Sequence, residues 1–475
     1  MPTRDKRRVL IVGAGTAGRE LVQAVKRAGG ATVAVGFLDD RFTKRPYKVQ
    51  GLPVLGRIEQ LAEVAKRKRV DQVYIAIPSA EGGVIRRIVA ACRDARVSFR
   101  IVPRVLEIVE GRVRLDALRE VRPEDLLGRA IAKSDQKVLR PFLRGKRVLV
   151  TGAAGSIGSE LCRQIAEYGP AELVAVDWWE NGLYDFENEL RAAHPKLSLR
   201  TMIGNVQDAA KMLRLVREAA PDFVFHAAAY KHVPLMERFP EQALRNNVIG
   251  TWNVAQAARK AGVSKFVLVS TDKAVHPTSV MGATKAVSER LIHSLNGGAT
   301  RFSCVRFGNV LASSGSVIPV FQRQIRNGGP VTLTHPDMVR YFMTIPEAVQ
   351  LILHAGQMSR GGEIFVLDMG EPVKILDLAH NLIRLSGYIP DKDIEIVYTG
   401  IRPGEKLYEE VLTDQEGLLA TKRRNIFVSR ASLTHAQSAK TIVADATRLC
   451  ERGSAAQIRK FLKRWVPSYQ MPASR

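Results

Sequence analysis

Two glycine-rich turns carry the first chemical signal. Gly13-Ala-Gly15-Thr-Ala-Gly18 follows the apolar run 8–12, and Gly152-Ala-Ala-Gly155-Ser156-Ile157-Gly158 follows the apolar run 147–150. Each opens an apolar helix pattern. Each is trailed about 25 residues on by acid at the end of the next strand pattern, Asp39-Asp40 for the first and Asp177 for the second. Glycines let a backbone approach a pyrophosphate, and a helix N-terminus offers free N–H groups and the positive end of its dipole. A carboxylate beyond the following strand accepts hydrogen bonds from a ribose diol and repels a 2′-phosphate, so Asp177 argues for NAD over NADP. The second turn reads as a dinucleotide site. The first reads equally well as a nucleotide site or as a turn that merely closes strand onto helix.

Other candidates sit where strands end. Asp272 and Lys273 leave the apolar run 265–269; taken alone, such a pair is a solvated surface pair. Lys231 and His232 follow the run 223–226, on the carboxyl edge where ligands bind in open parallel sheets. His226, inside that run, reads as a core histidine. Nine His show no metal-ligand spacing, and Cys92, Cys162, Cys304 and Cys450 stand singly. No metal site, zinc ribbon or disulfide framework follows from them, and a reducing cytosol is the natural compartment.

The elements that must hold these residues alternate strand and helix. In the first third, strands at 8–12, 31–38, 73–77 and 99–102 predict a parallel sheet covered by helices, with 51–56 as a turn-rich connector. The pattern restarts at 147, with strands at 172–176, 223–226, 265–269 and 302–306, and loosens from 311 onward. The fold class is therefore α/β: two Rossmann-like parallel-sheet domains, the second with a smaller C-terminal substrate lobe. Predicted bounds are 1–125, a polar linker 126–145, a nucleotide-binding and substrate domain 146–430, and a C-terminal helical tail 431–475. The 475 residues carry a net charge of +25, more than half of it in the first 140. No aromatic residues interleave with that charge in a stacking pattern, which argues against nucleic acid. No stretch approaches the roughly 18 uncharged apolar residues of a membrane-spanning helix, so the expectation is a cytoplasmic protein with at most peripheral contact at the membrane's inner face.

The second turn's G-x-x-G-x-x-G spacing resembles the extended short-chain dehydrogenase/reductase superfamily. There a Tyr-x-x-x-Lys pair is usual. Here Met281 stands four residues before Lys285, inside the stretch Ser270-Thr271-Asp272-Lys273 to Lys285. With Ala229-Tyr-Lys-His-Val-Pro-Leu-Met-Glu237, Asn246–Thr251, Arg306–Val310, Arg340–Glu347 and Arg402-Pro-Gly-Glu-Lys406, this resembles the long UDP-N-acetylglucosamine 4,6-dehydratases of polysaccharide biosynthesis. The resemblance covers residues 120–430. The first domain is similar to the nucleotide-binding-like domain of those long members and to the UDP-sugar-binding domain of some sugar acetyltransferases. Long members carry transmembrane helices ahead of it, a feature with no counterpart in these 475 residues.

The resemblance implies NAD, held by Gly152, Gly155, Ser156, Ile157, Gly158, Asp177, Asn205, Val206, Ala227, Ala228, Ala229 and Lys285. It implies a UDP-N-acetylhexosamine substrate contacted by Lys231, Asn309, Arg340, Arg402 and Glu405, retention at C5, and a homo-oligomer. Lys273 is the implied base and Asp272 the implied acid, with Thr271 on the reacting sugar oxygen and Lys285 on the nicotinamide ribose. Met281 cannot take a proton and packs over the nicotinamide; the C4 hydroxyl proton then passes to Asp272 through Thr271 or a water. A lysine base must be neutral, and burial together with Lys285 is expected to lower its pKa. Two rivals stay open: a nucleotide-sugar 4-epimerase, and a non-catalytic NAD or nucleotide-sugar sensor.

Overall fold

The computed structural model describes residues 6–28, 31–42, 47–78, 80, 82–102, 115, 118–121, 125, 136–410, 417–429 and 439–471. Its contacts divide the chain into two compact units. One joins 1–131 to 320–332 and 377–397; the other joins 132–319, 333–376 and 398–475.

The first unit is built on a six-stranded sheet in the order β3-β4-β2-β1-β5-β6. Its strands are β1 (Arg7–Val12), β2 (Thr32–Leu38), β3 (Lys48–Val49), β4 (Leu52–Gly56), β5 (Gln72–Ile75) and β6 (Ser98–Ile101). All pair in parallel except the β3–β4 hairpin. The stretch 51–56, expected as a connector, thus supplies strand β4. Successive residues of β1 point to opposite faces, as the period of two requires. Val9 and Ile11 pack with Leu21 and Val22 of α1 (Thr16–Arg27). Leu10 and Val12 pack with Leu61 and Val64 of α2 (Leu61–Arg67) and Ile85 and Ile88 of α3 (Gly82–Asp94).

The second unit repeats the plan on nine strands. β7 (Arg147–Thr151), β8 (Glu172–Asp177), β9 (Leu199–Ile203), β10 (Phe223–His226), β11 (Lys265–Val269) and β12 (Arg301–Arg306) form a parallel sheet in the order β9-β8-β7-β10-β11-β12. Ile364–Leu367 continues it in parallel, and Ile426–Ser429 and Leu418–Ala420 close the edge antiparallel. Chain direction across the sheet reverses between β7 and β10, which puts the second glycine turn and Ala227–Ala229 at the switch point where such sheets bind ligands. Alternation again splits the core: Val148 and Val150 face one cluster, Leu149 the other.

Three expectations need correction. Within the expected linker, Gln136–Leu143 is a helix with Leu139 and Leu143 fully buried in the second unit's core; its apolar residues four apart make one buried stripe. Residues 126–135 lie outside the described residues. The expected substrate lobe is not one body, since 320–332 and 377–397 group with the first unit. The expected tail holds two helices, Ala439–Arg452 and Ala455–Trp465, that pack as core. Ile442, Ala446, Ile458, Phe461, Leu462 and Tyr469 are buried in one cluster with Met281, Val287 and Leu291 of the helix Val280–Ser294. That tail also reaches the helix start: Arg459 Nη2 donates to Glu237 O at 2.8 Å and lies 3.2 Å from its Oε2. Glu237 Oε1 in turn accepts from Val280 N at 2.6 Å, and Gln470 N donates to Pro277 O at 2.8 Å.

Candidate active site

The glycine turn after β7 is shaped by what cannot be there. Gly152 has φ +68°, and a Cβ on it would lie 2.6 Å from Ala228 N. A Cβ on Gly158 would run into Gly152 O, so the helix Ser156–Glu167 can approach the turn only because Gly158 lacks one. Gly155, the helix N-cap, faces open space; a Cβ there would meet only Gly152 O, at 3.2 Å. Asp177, buried at the end of β8, braces the turn. Its Oδ2 accepts from Ala154 N at 2.9 Å and its Oδ1 from Trp179 N at 3.0 Å. Gly204 N bonds to Asp177 O at 2.9 Å, bringing Asn205 and Val206 alongside, and Ser156 Oγ accepts from Ser314 N at 3.2 Å. A cradle filled by any Cβ, an open helix N-terminus and a carboxylate with lone pairs to spare fit a dinucleotide. The first unit repeats the brace: Asp39 Oδ2 accepts from Ala14 N at 2.8 Å and Oδ1 from Arg41 N at 2.9 Å.

Beyond β10 the expected core histidine is one. His226 is fully buried between Thr151 Oγ1, at 2.6 Å, and Thr251 Oγ1, at 3.0 Å, and burial drives its pKa down to about 3. Lys231 and His232 follow on the exposed loop, and His232 packs against Gly315, whose Cβ would lie 2.6 Å from the ring. A feature absent from the sequence reading holds this loop. Leu244–Ile249 forms a π-helical turn that buries Asn247, whose amide bonds Tyr230 N at 2.8 Å, Tyr230 O at 3.0 Å and Thr284 Oγ1 at 3.1 Å.

The turn after β11 gathers the proton-carrying groups. Asp272 is 1% exposed. Its Oδ1 accepts from Thr271 Oγ1 at 2.9 Å and from Lys273 Nζ at 3.0 Å, while Oδ2, buried beside Gly308, has no hydrogen-bond partner. Burial raises the Asp272 pKa, against the pull of the Lys273 ammonium. Lys273 Nζ also donates to Asn309 Oδ1 at 3.1 Å and lies 3.4 Å from Glu409 Oε1. Burial works against its charge, but the carboxylates of Asp272 and Glu409 outweigh it and hold Lys273 above its ordinary pKa. The expected neutral lysine is therefore corrected: in this state Lys273 is an ammonium between two anions. Burial does lower Lys285, to about 8; its Nζ donates to Val269 O at 2.7 Å. Met281, buried on the first turn of the helix Val280–Ser294, brings no ionisable group. Gly282 beside it is required, because a Cβ there would strike Lys273 O.

The expected substrate residues divide. A cleft lined by Lys273, Ser279, Arg340, Arg402, Glu405 and Glu409, among others, opens over the turn. Arg402 is exposed there and makes no ion pair among the described residues, leaving its guanidinium for an anion. Arg340, expected on the diphosphate, lines the cleft and is braced by the protein itself. It donates to Val339 O (2.7 Å), Leu407 O (3.1 Å) and Lys406 O (2.7 Å), and lies 3.5 Å from Glu405 and 3.6 Å from Glu409. Asn309, expected on the nucleotide, accepts from Lys273 through its Oδ1. Glu409 escaped the sequence reading; its one signal was a second acid four residues after Glu405.

The comparisons with known proteins agree with this architecture. The profile of the polysaccharide biosynthesis protein family matches residues 148–431, and a CoA-binding domain profile matches residues 3–103. The probable polysaccharide biosynthesis protein EpsC of Bacillus subtilis is 48% identical over 412 residues, 86% of this chain and 69% of that one. The UDP-N-acetylglucosamine 4,6-dehydratase (inverting) of Campylobacter jejuni is 34% identical over 298 residues, 62% of this chain and 85% of that one. Among solved structures, Pen from Bacillus thuringiensis superposes with a TM-score of 0.57 at 30% identity, covering 66% of this chain and 99% of its own. Sequence profile, glycine cradle and the Thr271-Asp272-Lys273 turn converge: the chain belongs to the polysaccharide biosynthesis protein family.

Proposed function

We propose that the second unit is an NAD-dependent nucleotide-sugar 4,6-dehydratase acting on a UDP-N-acetylhexosamine, UDP-N-acetylglucosamine first among them. One observation carries this. Thr271, Asp272 and Lys273 form a continuous set of proton-transfer groups at the mouth of a cleft, while the residue four before Lys285 is a methionine that cannot transfer a proton. An epimerase of this fold needs a tyrosine-type acid–base there, and it has no use for an acid and a base side by side. The likeness to the Campylobacter dehydratase supports the same reading.

NAD, when bound in the glycine cradle, supplies reversible hydride exchange, so oxidation at C4 and reduction at C6 cancel within one turnover. The protein's own work is proton transfer. Thr271 Oγ1 connects a sugar C4 hydroxyl to the Asp272 carboxylate, which the C4 proton converts to a carboxylic acid. That neutralises one of the two anions on Lys273, whose ammonium proton passes to water at the open cleft and is regained from water when the turnover ends. Once C4 is a carbonyl, the C5 hydrogen is acidic, and neutral Lys273 removes it. Asp272 then returns its proton to the departing C6 hydroxyl, which leaves as water, and Lys273 returns its proton to C5. Arg402 holds the diphosphate. The test is incubation of the purified chain with UDP-N-acetylglucosamine and NAD, read by mass spectrometry. Loss of one water from the sugar nucleotide supports the proposal; an unchanged mass with an epimerised sugar sinks it.

A further inference from the structure

We propose that Glu409 is a positioning residue for Lys273: its carboxylate is the second anion on the ammonium, and it ties the proton-transfer turn to the loop that presents Arg402. This rests on the dehydratase reading for its purpose, though not for its geometry. Glu409 is buried, so its charge is not diluted by water, and Oε1 stands 3.4 Å from Lys273 Nζ and 3.6 Å from Arg340 Nε. Arg340 is itself fixed by the carbonyls of Val339, Lys406 and Leu407. The chain of contacts therefore runs from the anion-facing loop, through a guanidinium fixed by three carbonyls, to the atom that must lose a proton.

The groups facing Lys273 are few. Asp272 and Thr271 come from its own turn, Asn309 from the segment after β12, Glu409 from the loop and Arg340 from the strand Val339–Arg340. Asp272 becomes neutral once it takes the C4 proton. Glu409 is then the one carboxylate in this set still holding the lysine proton, and it decides how readily Lys273 becomes a base. A salt bridge kept for packing alone would show no such control. Removing its charge while keeping its shape must make Lys273 easier to deprotonate, because an ammonium that loses a nearby anion loses part of what stabilises it.

The experiment compares the full-length chain with Glu409→Gln and Glu409→Asp. The reactivity of the Lys273 amine toward an amine-acylating reagent is followed against pH by peptide mass spectrometry, without substrate. In Glu409→Gln the labelling midpoint moves to lower pH by on the order of one unit, giving roughly tenfold more labelling at a fixed pH below both midpoints. In Glu409→Asp, which keeps the charge, the midpoint stays near wild type. Where UDP-N-acetylglucosamine is turned over, the acid limb of kcat in Glu409→Gln moves by the same amount, with KM changed less than kcat. An unshifted Lys273 midpoint in Glu409→Gln overturns the inference, as does the same shift in both variants, which would make the effect one of packing. Should the chain dehydrate no sugar nucleotide while the midpoint moves as stated, the dehydratase reading fails and the Glu409 assignment stands.

Discussion

At the scale of single residues, the turn after β11 makes the sharpest claims. Lys273→Ala removes the proposed C5 base and leaves the glycine cradle untouched. Bound NAD is then still reduced by substrate, seen as absorbance of the reduced nicotinamide, while dehydrated product falls by about 10²–10⁴-fold. Wild-type rates of product in this variant would remove Lys273 from the mechanism. Asp177 tests the cofactor. Asp177→Ala strips the acceptor from Ala154 N and Trp179 N and the repulsion from a 2′-phosphate. Hydrogen bonds to a charged group contribute about 1.5–3 kcal/mol, so NAD affinity drops by about tenfold or more and the preference over NADP narrows, measured by titration calorimetry with both cofactors. Equal affinity for NAD before and after would show that the carboxylate only shapes the turn. Asp177 was legible because glycine spacing and a trailing acid report backbone geometry directly, whereas Lys273 was marked only by the family resemblance. What stayed hidden was partnership across the fold. Nothing in the sequence distinguishes Arg402, which faces the cleft, from Arg340, which spends itself on three carbonyls. Nor can it bring Glu409 to Lys273, 136 positions away in the sequence, because that contact exists only once the loop is folded over the turn.

At the scale of elements, one packing contact stands out beside the site. The helix Val280–Ser294 meets the catalytic turn so closely that Gly282 has no room for a methyl group. Gly282→Ala forces the helix away from Lys273 O. Overpacking of this kind costs about 1–3 kcal/mol, and the rate should fall more than the stability loss explains, because the turn itself is displaced. Thermal unfolding beside the dehydration rate checks this; a destabilised variant with an unchanged rate per folded molecule would show that the turn tolerates the shift. Most strands and both glycine turns were readable from apolar runs bounded by Gly and Pro. Leu52–Gly56 was not, because its Pro53 and two glycines look like a connector, yet pairing with β2 makes it a strand. The helix Gln136–Leu143 was masked by its Lys and Arg, which lie outside while Leu139 and Leu143 carry the burial.

At the scale of the whole molecule, the two units ask different questions of the first 131 residues. Gly15 has nothing within 4 Å of a would-be Cβ. Gly15→Val should therefore fold normally and still abolish any phosphate binding at the first turn, since the side chain blocks backbone approach. Binding of UDP-sugar or coenzyme A to wild type but not to this variant would assign the turn a ligand; no binding to either, with full dehydratase activity, would make it a packing turn. Deleting residues 1–131 is a blunter test. Segments 320–332 and 377–397 belong to that unit, so the truncated chain should unfold at lower temperature whatever the turn does. The far end of the chain carries a different consequence. Because Arg459, through Glu237, reaches the first amide of the helix bearing Met281 and Lys285, and Gln470 ties down Pro277, the C-terminal segment props the turn that carries the proposed site. In genetic terms, a premature stop codon at 455 leaves every recognisable motif intact and is expected to behave as a loss-of-function allele, a prediction that comparison of the truncated and full chains in the dehydration assay checks.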